Sequence, residues 1–142
     1  MLMRLTELEP HFVIYEDRIE PYSIIEGDES TWRERGCPTK EVTGPKQYVI
    51  TIDTLDEAQG VWFLCPKCFI TKKGKVRTHS CQVTFDGRRV AEHHGSHGSD
   101  NRPTRWQAFG TGFDNLSVSP SILLIGGCAW HGFITNGEIV NA

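Results

Sequence analysis

A mostly β fold with a minor helical part is predicted for this 142-residue chain, on three observations. Short runs rich in valine, isoleucine and aromatic residues recur along it, bounded by the turn formers among 14 glycines and 7 prolines. Two dipeptides, Asp86-Gly87 and Asn136-Gly137, sit between strand-like flanks and favour tight hairpins. Two knuckles of C-x-x-[CH] spacing, Cys65/Cys68 and Cys128/His131, lie 59 residues apart and invite a shared ion. The expected architecture is one compact domain over 1–142, built of short antiparallel strands and hairpins with one short helix and stapled by a pair of zinc knuckles.

Taken in order, HFVIY (His11–Tyr15) and QYVITI (Gln47–Ile52) read as strands, with 26–46 between them as a long surface loop. TLDEAQG (Thr54–Gly60) has a threonine cap, a glutamate three positions later and a glycine stop, which predicts the short helix. The strand GVWFL follows and delivers the first knuckle, CPKC, read as strand and turn with Pro66 stiffening the bend. QVTFDGRRV predicts a hairpin, and 91–104 a second long surface loop, mobile because almost nothing in it is apolar. WQAFGTGF, LSVS and SILLIGG read as further strands, and HGFITNGEIV closes the chain as a hairpin.

Zinc in structural sites takes four tetrahedral donors from thiolate and imidazole, and Cys65, Cys68, Cys128 and His131 supply such a set. The long intervening segment is no obstacle, since loop-closure cost rises only about 0.6 kcal/mol per doubling of length. His79 and Cys81, in RTHSC, are the alternative ligands. One structural Zn²⁺ is therefore the expected cofactor. A thioredoxin-like role is disfavoured, because a redox pair sits at a helix N-terminus, where the dipole lowers a thiol pKa. Cys37 completes the five cysteines. His93, His94 and His97, with Asp100, could bind a second metal or act as acid and base, although no rigid element aims them.

No H-E-x-x-H, no G-x-S-x-G and no deaminase pattern occurs, and four protein ligands leave no open metal position, so no catalytic residue is assigned. The net charge is −3, but 67–105 carries nine basic and three acidic side chains. Lys72, Lys73, Lys75, Arg77, Arg88 and Arg89 are thus candidate anion-binding residues. The N-terminal stretch lacks a basic region followed by an apolar run, and no apolar run spans a membrane, so synthesis in the cytosol is expected.

LCPKCF, THS, Trp106 with GTGFDNL, and PSILLIGGCAWHGFITNG together resemble a family of small uncharacterised proteins of tailed phages and prophages, over roughly 46–140. The resemblance marks Cys65, Cys68, Cys128, His131 and His79, and leaves Cys81 outside the pattern. It implies a phage context, in the bacterial cytoplasm or the virion, and carries no activity. The functional expectation is a non-enzymatic, zinc-stabilised phage protein that binds a virion or host protein, with Trp32, Trp62, Trp106 and Trp130 as candidate anchors. Nucleic-acid binding through the basic segment is the first alternative, and a zinc-dependent hydrolase using His79 or the 93–97 histidines is the second.

Overall fold

The computed structural model describes residues 3–124 and 128–142. The chain is mostly β, as expected, with nine strands in two antiparallel sheets among the described residues. Two compact units divide it: Met1–Tyr15 with Ile50–Ala142, and Glu16–Val49.

In the first unit, β1 (Met3–Arg4), β6 (Gln107–Phe109), β7 (Ser117–Leu123), β8 (His131–Thr135) and β9 (Glu138–Asn141) form a sheet in the order β1-β9-β8-β7-β6. β4 (Gly60–Leu64) and β5 (Ser80–Thr84) belong to the other sheet with β2 (His11–Ile25) and β3 (Thr39–Ile52), in the order β3-β2-β4-β5. Inward positions alternate with outward ones, as a sheet with one buried face requires. Val118, Ile122, Ile134 and Ile139 from one sheet, with Val61, Phe63, Cys81 and Val83 from the other, belong to one buried cluster. Asn136 and Gly137 both take positive φ, 47° and 77°, and close the β8–β9 hairpin with the expected turn geometry. A side chain at Gly137 would lie 2.2 Å from the Asp114 carbonyl oxygen, so this position admits glycine alone.

The second unit holds most of β2 (His11–Ile25) and β3 (Thr39–Ile52), with α1 (Glu29–Arg35) between them. Segment 26–46 is therefore helix and strand, where a surface loop was expected. Local bonds explain the helix: Trp32 N–H donates to the Asp28 carbonyl, its indole to the Glu26 carbonyl, and Arg33 pairs with Glu29 one turn back.

Three other expectations are corrected. TLDEAQG makes a single turn, not a helix; Leu55 and Ala58 are buried, and the Arg88 guanidinium donates to the carbonyls of Leu55 and Ala58 at 2.7 Å each. A side chain thirty residues downstream thus satisfies carbonyls that a longer helix would have satisfied itself. No return strand forms after Asp86-Gly87; Phe85 bridges Trp106 in parallel, and the Asp86 N–H donates to the Trp106 carbonyl at 2.7 Å. CPKCF, read as strand and turn, starts α2 (Pro66–Thr71), with Cys65 as its N-cap and Pro66 in the first turn. Proline is pre-set for that position and its missing N–H costs nothing there.

Segment 91–104 has turns and one bridge, His97 with Pro103, and no strand. Arg105 holds it by donating to the carbonyls of Ser96 at 2.8 Å and His94 at 2.7 Å. Among the described residues no helix is long and apolar enough to cross a membrane.

Candidate metal centre and serine–histidine pair

Four donors converge where β4 ends, β5 begins and the chain approaches β8. One ligand atom each from Cys65, Cys68, His79 and Cys128 lies within 4.8 Å of all the others, a group that could hold a metal ion. The Cys65 and Cys128 sulfurs are 3.1 Å apart, and His79 Nε2 is 3.1 Å from the Cys128 sulfur. Each donor is aimed by its element. Cys65 and Cys68 lie at the cap and in the first turn of α2, and the Cys65 N–H donates to the His79 carbonyl at 2.8 Å, tying the first knuckle to the start of β5. Lys67 Nζ donates to the Cys128 carbonyl at 3.0 Å and brings the third segment in.

The electrostatics of the cluster suit a cation. Burial, helped by the neighbouring Cys128 and Cys68 thiols and opposed by a hydrogen bond from the Cys68 backbone, pushes the Cys65 thiol up to about 12. Burial also acts upward on Cys128, but hydrogen bonds from Cys65, His79, Cys68 and the Trp130 backbone outweigh it and lower that thiol to about 6. The pair thus shifts in opposite directions, Cys65 toward the thiol and Cys128 toward the thiolate. Cys81, opposite Phe63 on β5, is buried, hydrogen-bonded to the Cys65 thiol and raised by that burial. It stands outside the four-donor group.

His131, expected as the fourth ligand, is not among the four; His79, the alternative, takes that place. Trp130 explains the exchange. Its indole is buried, edge-on to Phe63 at 6.2 Å, and would collide with any side chain at Gly132, 2.4 Å away. With Trp130 turned in, strand alternation turns His131 out, away from the cysteines.

On that outer face His131 meets a partner that spacing gave no hint of. Its Nε2 lies 3.2 Å from the hydroxyl of Ser121 on the neighbouring strand. The register places them there: Leu123 pairs with His131, so Ser121, two residues back on the same face of β7, is its diagonal neighbour. Beyond that pair the register shifts: Val118 faces Ile134 and Ile122 faces Gly132, so four steps along β7 span two along β8, an irregularity of two extra residues. Bulges recur beside active sites because they re-aim a side chain. The peptide bond between Ser119 and Pro120 is cis, and the Trp106 indole donates to the Ser121 carbonyl at 3.1 Å, fixing the backbone behind the hydroxyl. With Nε2 unprotonated, the hydroxyl donates to it, the arrangement a base needs to activate an alcohol.

The sequence of this chain over residues 35–142 matches the family model of BubE, described as bacterial ubiquitination-like system serine protease. The chain belongs to the BubE family. Neither the curated proteins nor the solved structures compared with it give a match. The family match overturns the expectation of a non-enzymatic phage or viral protein that binds a virion or host protein: it points to an enzyme of a bacterial system. The motifs that carried the resemblance to uncharacterised proteins lie within residues 35–142, and the phage context attached to them has no support in this match.

The remaining candidates have other surroundings. Arg88 is taken up by backbone carbonyls and stacks 5.5 Å over Phe85, Lys75 pairs with Glu9 at 3.8 Å, and Lys72 donates to the Arg77 carbonyl. Lys73, Arg77 and Arg89 occupy positive-φ turn positions. His94 is buried and stacked on Tyr15, and His97 bonds the carbonyls of Gly95 and Glu92.

Proposed function

We propose that this chain is a serine protease acting on protein linkages of a ubiquitination-like system, with Ser121 as nucleophile and His131 as general base and acid. What supports the reading is the 3.2 Å approach of the Ser121 hydroxyl to His131 Nε2, on a bulged strand, in a chain whose family is described as a serine protease. His131 takes the hydroxyl proton as Ser121 Oγ attacks the scissile carbonyl, then gives it to the leaving group as the acyl–Ser121 ester forms. Water, activated by the same imidazole, hydrolyses the ester and restores the serine.

The metal group takes a structural part in this reading. Three thiolates and one imidazole form a soft, closed tetrahedral donor set, which fits Zn²⁺ and leaves no position for a reacting water. Cys128 lies three residues before His131, so an ion bound there holds the start of β8 to α2 and β5 and sets the height of the histidine over Ser121. The metal orders the base; the serine does the chemistry.

The test is hydrolysis of a conjugate between the system's own ubiquitin-like protein and a target. Ser121→Ala and His131→Ala are expected to lower kcat by on the order of 10⁴-fold or more while the variants still bind metal and melt cooperatively. Full activity in a folded Ser121→Ala protein overturns the reading.

A further inference from the structure

Two hollows flank the Ser121–His131 pair, and the order of proton transfers tells them apart. On the Ser121 side a groove of about 590 Å³ runs over the outer face of the sheet. Phe109 and Phe133, 55% and 38% exposed, line it with Pro120, Ser119 and Ser121, and none of its lining side chains is charged. On the His131 side a hollow of about 350 Å³ is bounded by Lys67, Ile70, Trp130, His131 and Asn141. During acylation the Ser121 Oγ–carbon bond forms and the carbon–leaving-group bond breaks. The hydroxyl proton passes to His131 Nε2 and on to the departing atom, so the step is balanced without any further reactant. The leaving group must then lie beside His131, and the acyl part beside Ser121.

We propose that the Phe109–Phe133 groove is the acyl-side specificity subsite, and that it takes an uncharged, apolar side chain of the substrate segment that becomes esterified to Ser121. This rests on the reading of Ser121 as nucleophile. Two large aromatic side chains left exposed on one sheet face, beside a reactive hydroxyl, are surface that a bound chain would remove from water. A carboxylate or ammonium in the same place would lose its hydration with no counter-charge along the lining to replace it. The serine hydroxyls of the bulge supply neutral hydrogen-bonding groups for the main chain, so selection falls on the side chain.

The experiment compares two peptidyl diphenyl phosphonates on the full chain, one with a phenylalanine-type and one with an aspartate-type side chain next to phosphorus. Each forms an Oγ–phosphorus bond with expulsion of phenoxide, which His131 protonates, so labelling needs no natural substrate. The wild-type chain is expected to be labelled on Ser121 faster by the phenylalanine-type probe by on the order of 10- to 100-fold. In the double variant Phe109→Ser, Phe133→Ser that ratio falls to near one, and in Phe133→Lys it moves toward the acidic probe; melting curves establish that both variants are folded. Labelling of Ser121 at equal rates, or a preference that survives both variants, overturns the subsite and leaves the nucleophile in place. Absence of label on Ser121 with either probe overturns the nucleophile, and the subsite with it.

Discussion

Cys65 and Cys128 stand with their sulfurs 3.1 Å apart, although the whole of α2, β5, β6 and β7 lies between them in the chain. The two sulfur groups face each other beside an imidazole, and a soft divalent ion would replace the hydrogen bond between them with stronger bonds.

Metal content follows from that geometry. The purified chain is expected to carry about one zinc, and Cys65→Ser, Cys68→Ser, Cys128→Ser and His79→Ala each to reduce it sharply. His131→Ala is expected to keep it, which elemental analysis distinguishes directly. Structural zinc sites contribute on the order of 10 kcal/mol, so chelation should loosen or unfold the first unit, read as a fall in melting temperature.

Acid should release the ion. Cys128 is held below the ordinary thiol value of 9.0, at about 6. Its thiolate thus favours the folded, metal-free chain fully above pH 9, and that contribution is lost as pH falls through about 6. Metal binding needs deprotonated thiols, and a bound ion holds them deprotonated below their metal-free range, so release is expected only below about pH 6 when followed with a chromogenic zinc indicator. An unchanged release profile in a folded Cys128→Ser protein contradicts the assignment of Cys128.

Trp106 acts through Ser121. Trp106→Phe keeps an aromatic ring but removes the indole donor to the Ser121 carbonyl. A bond of this kind contributes about 1 kcal/mol, so kcat is expected to fall roughly 3- to 10-fold with little change in KM. A change confined to melting temperature assigns the indole to packing alone.

Gly132 gives a steric test of how His131 is placed. A methyl group there meets the Trp130 ring at 2.4 Å and the Val140 carbonyl oxygen at 2.6 Å. Gly132→Ala is expected to destabilise the chain by about 1–3 kcal/mol and to lower activity by more than the lost folded fraction explains, because the neighbouring histidine moves with its strand. Denaturant unfolding and specific activity per folded molecule separate the two effects.

The β class, the closing hairpin and three of the four donors were legible from local chemistry. Cys65, Cys68 and Cys128 declare themselves by residue type and spacing, and Asn136-Gly137 by the backbone angles it allows. The fourth donor was not legible, since whether His79 or His131 reaches the sulfurs depends on which way Trp130 points, a matter of core packing. The turn at 54–60 is satisfied by a guanidinium from Arg88 that no local pattern announces, and Phe85 pairs with Trp106 where a return strand after Gly87 was expected. The Ser121–His131 pair escaped for a related reason. Its members are diagonal neighbours on adjacent strands, and no short motif encodes which strands pair or in what register. Proline between two serines in an otherwise apolar strand was the available signal, because proline in a strand marks an edge or a bulge.

The most direct measurement is peptide mapping by mass spectrometry after the full chain is exposed to a small fluorophosphonate. A single adduct on Ser121 is predicted, absent in Ser121→Ala and slowed on the order of 100-fold or more in His131→Ala. An adduct on another serine, or labelling of Ser121 at an undiminished rate in the folded His131→Ala protein, would contradict the account.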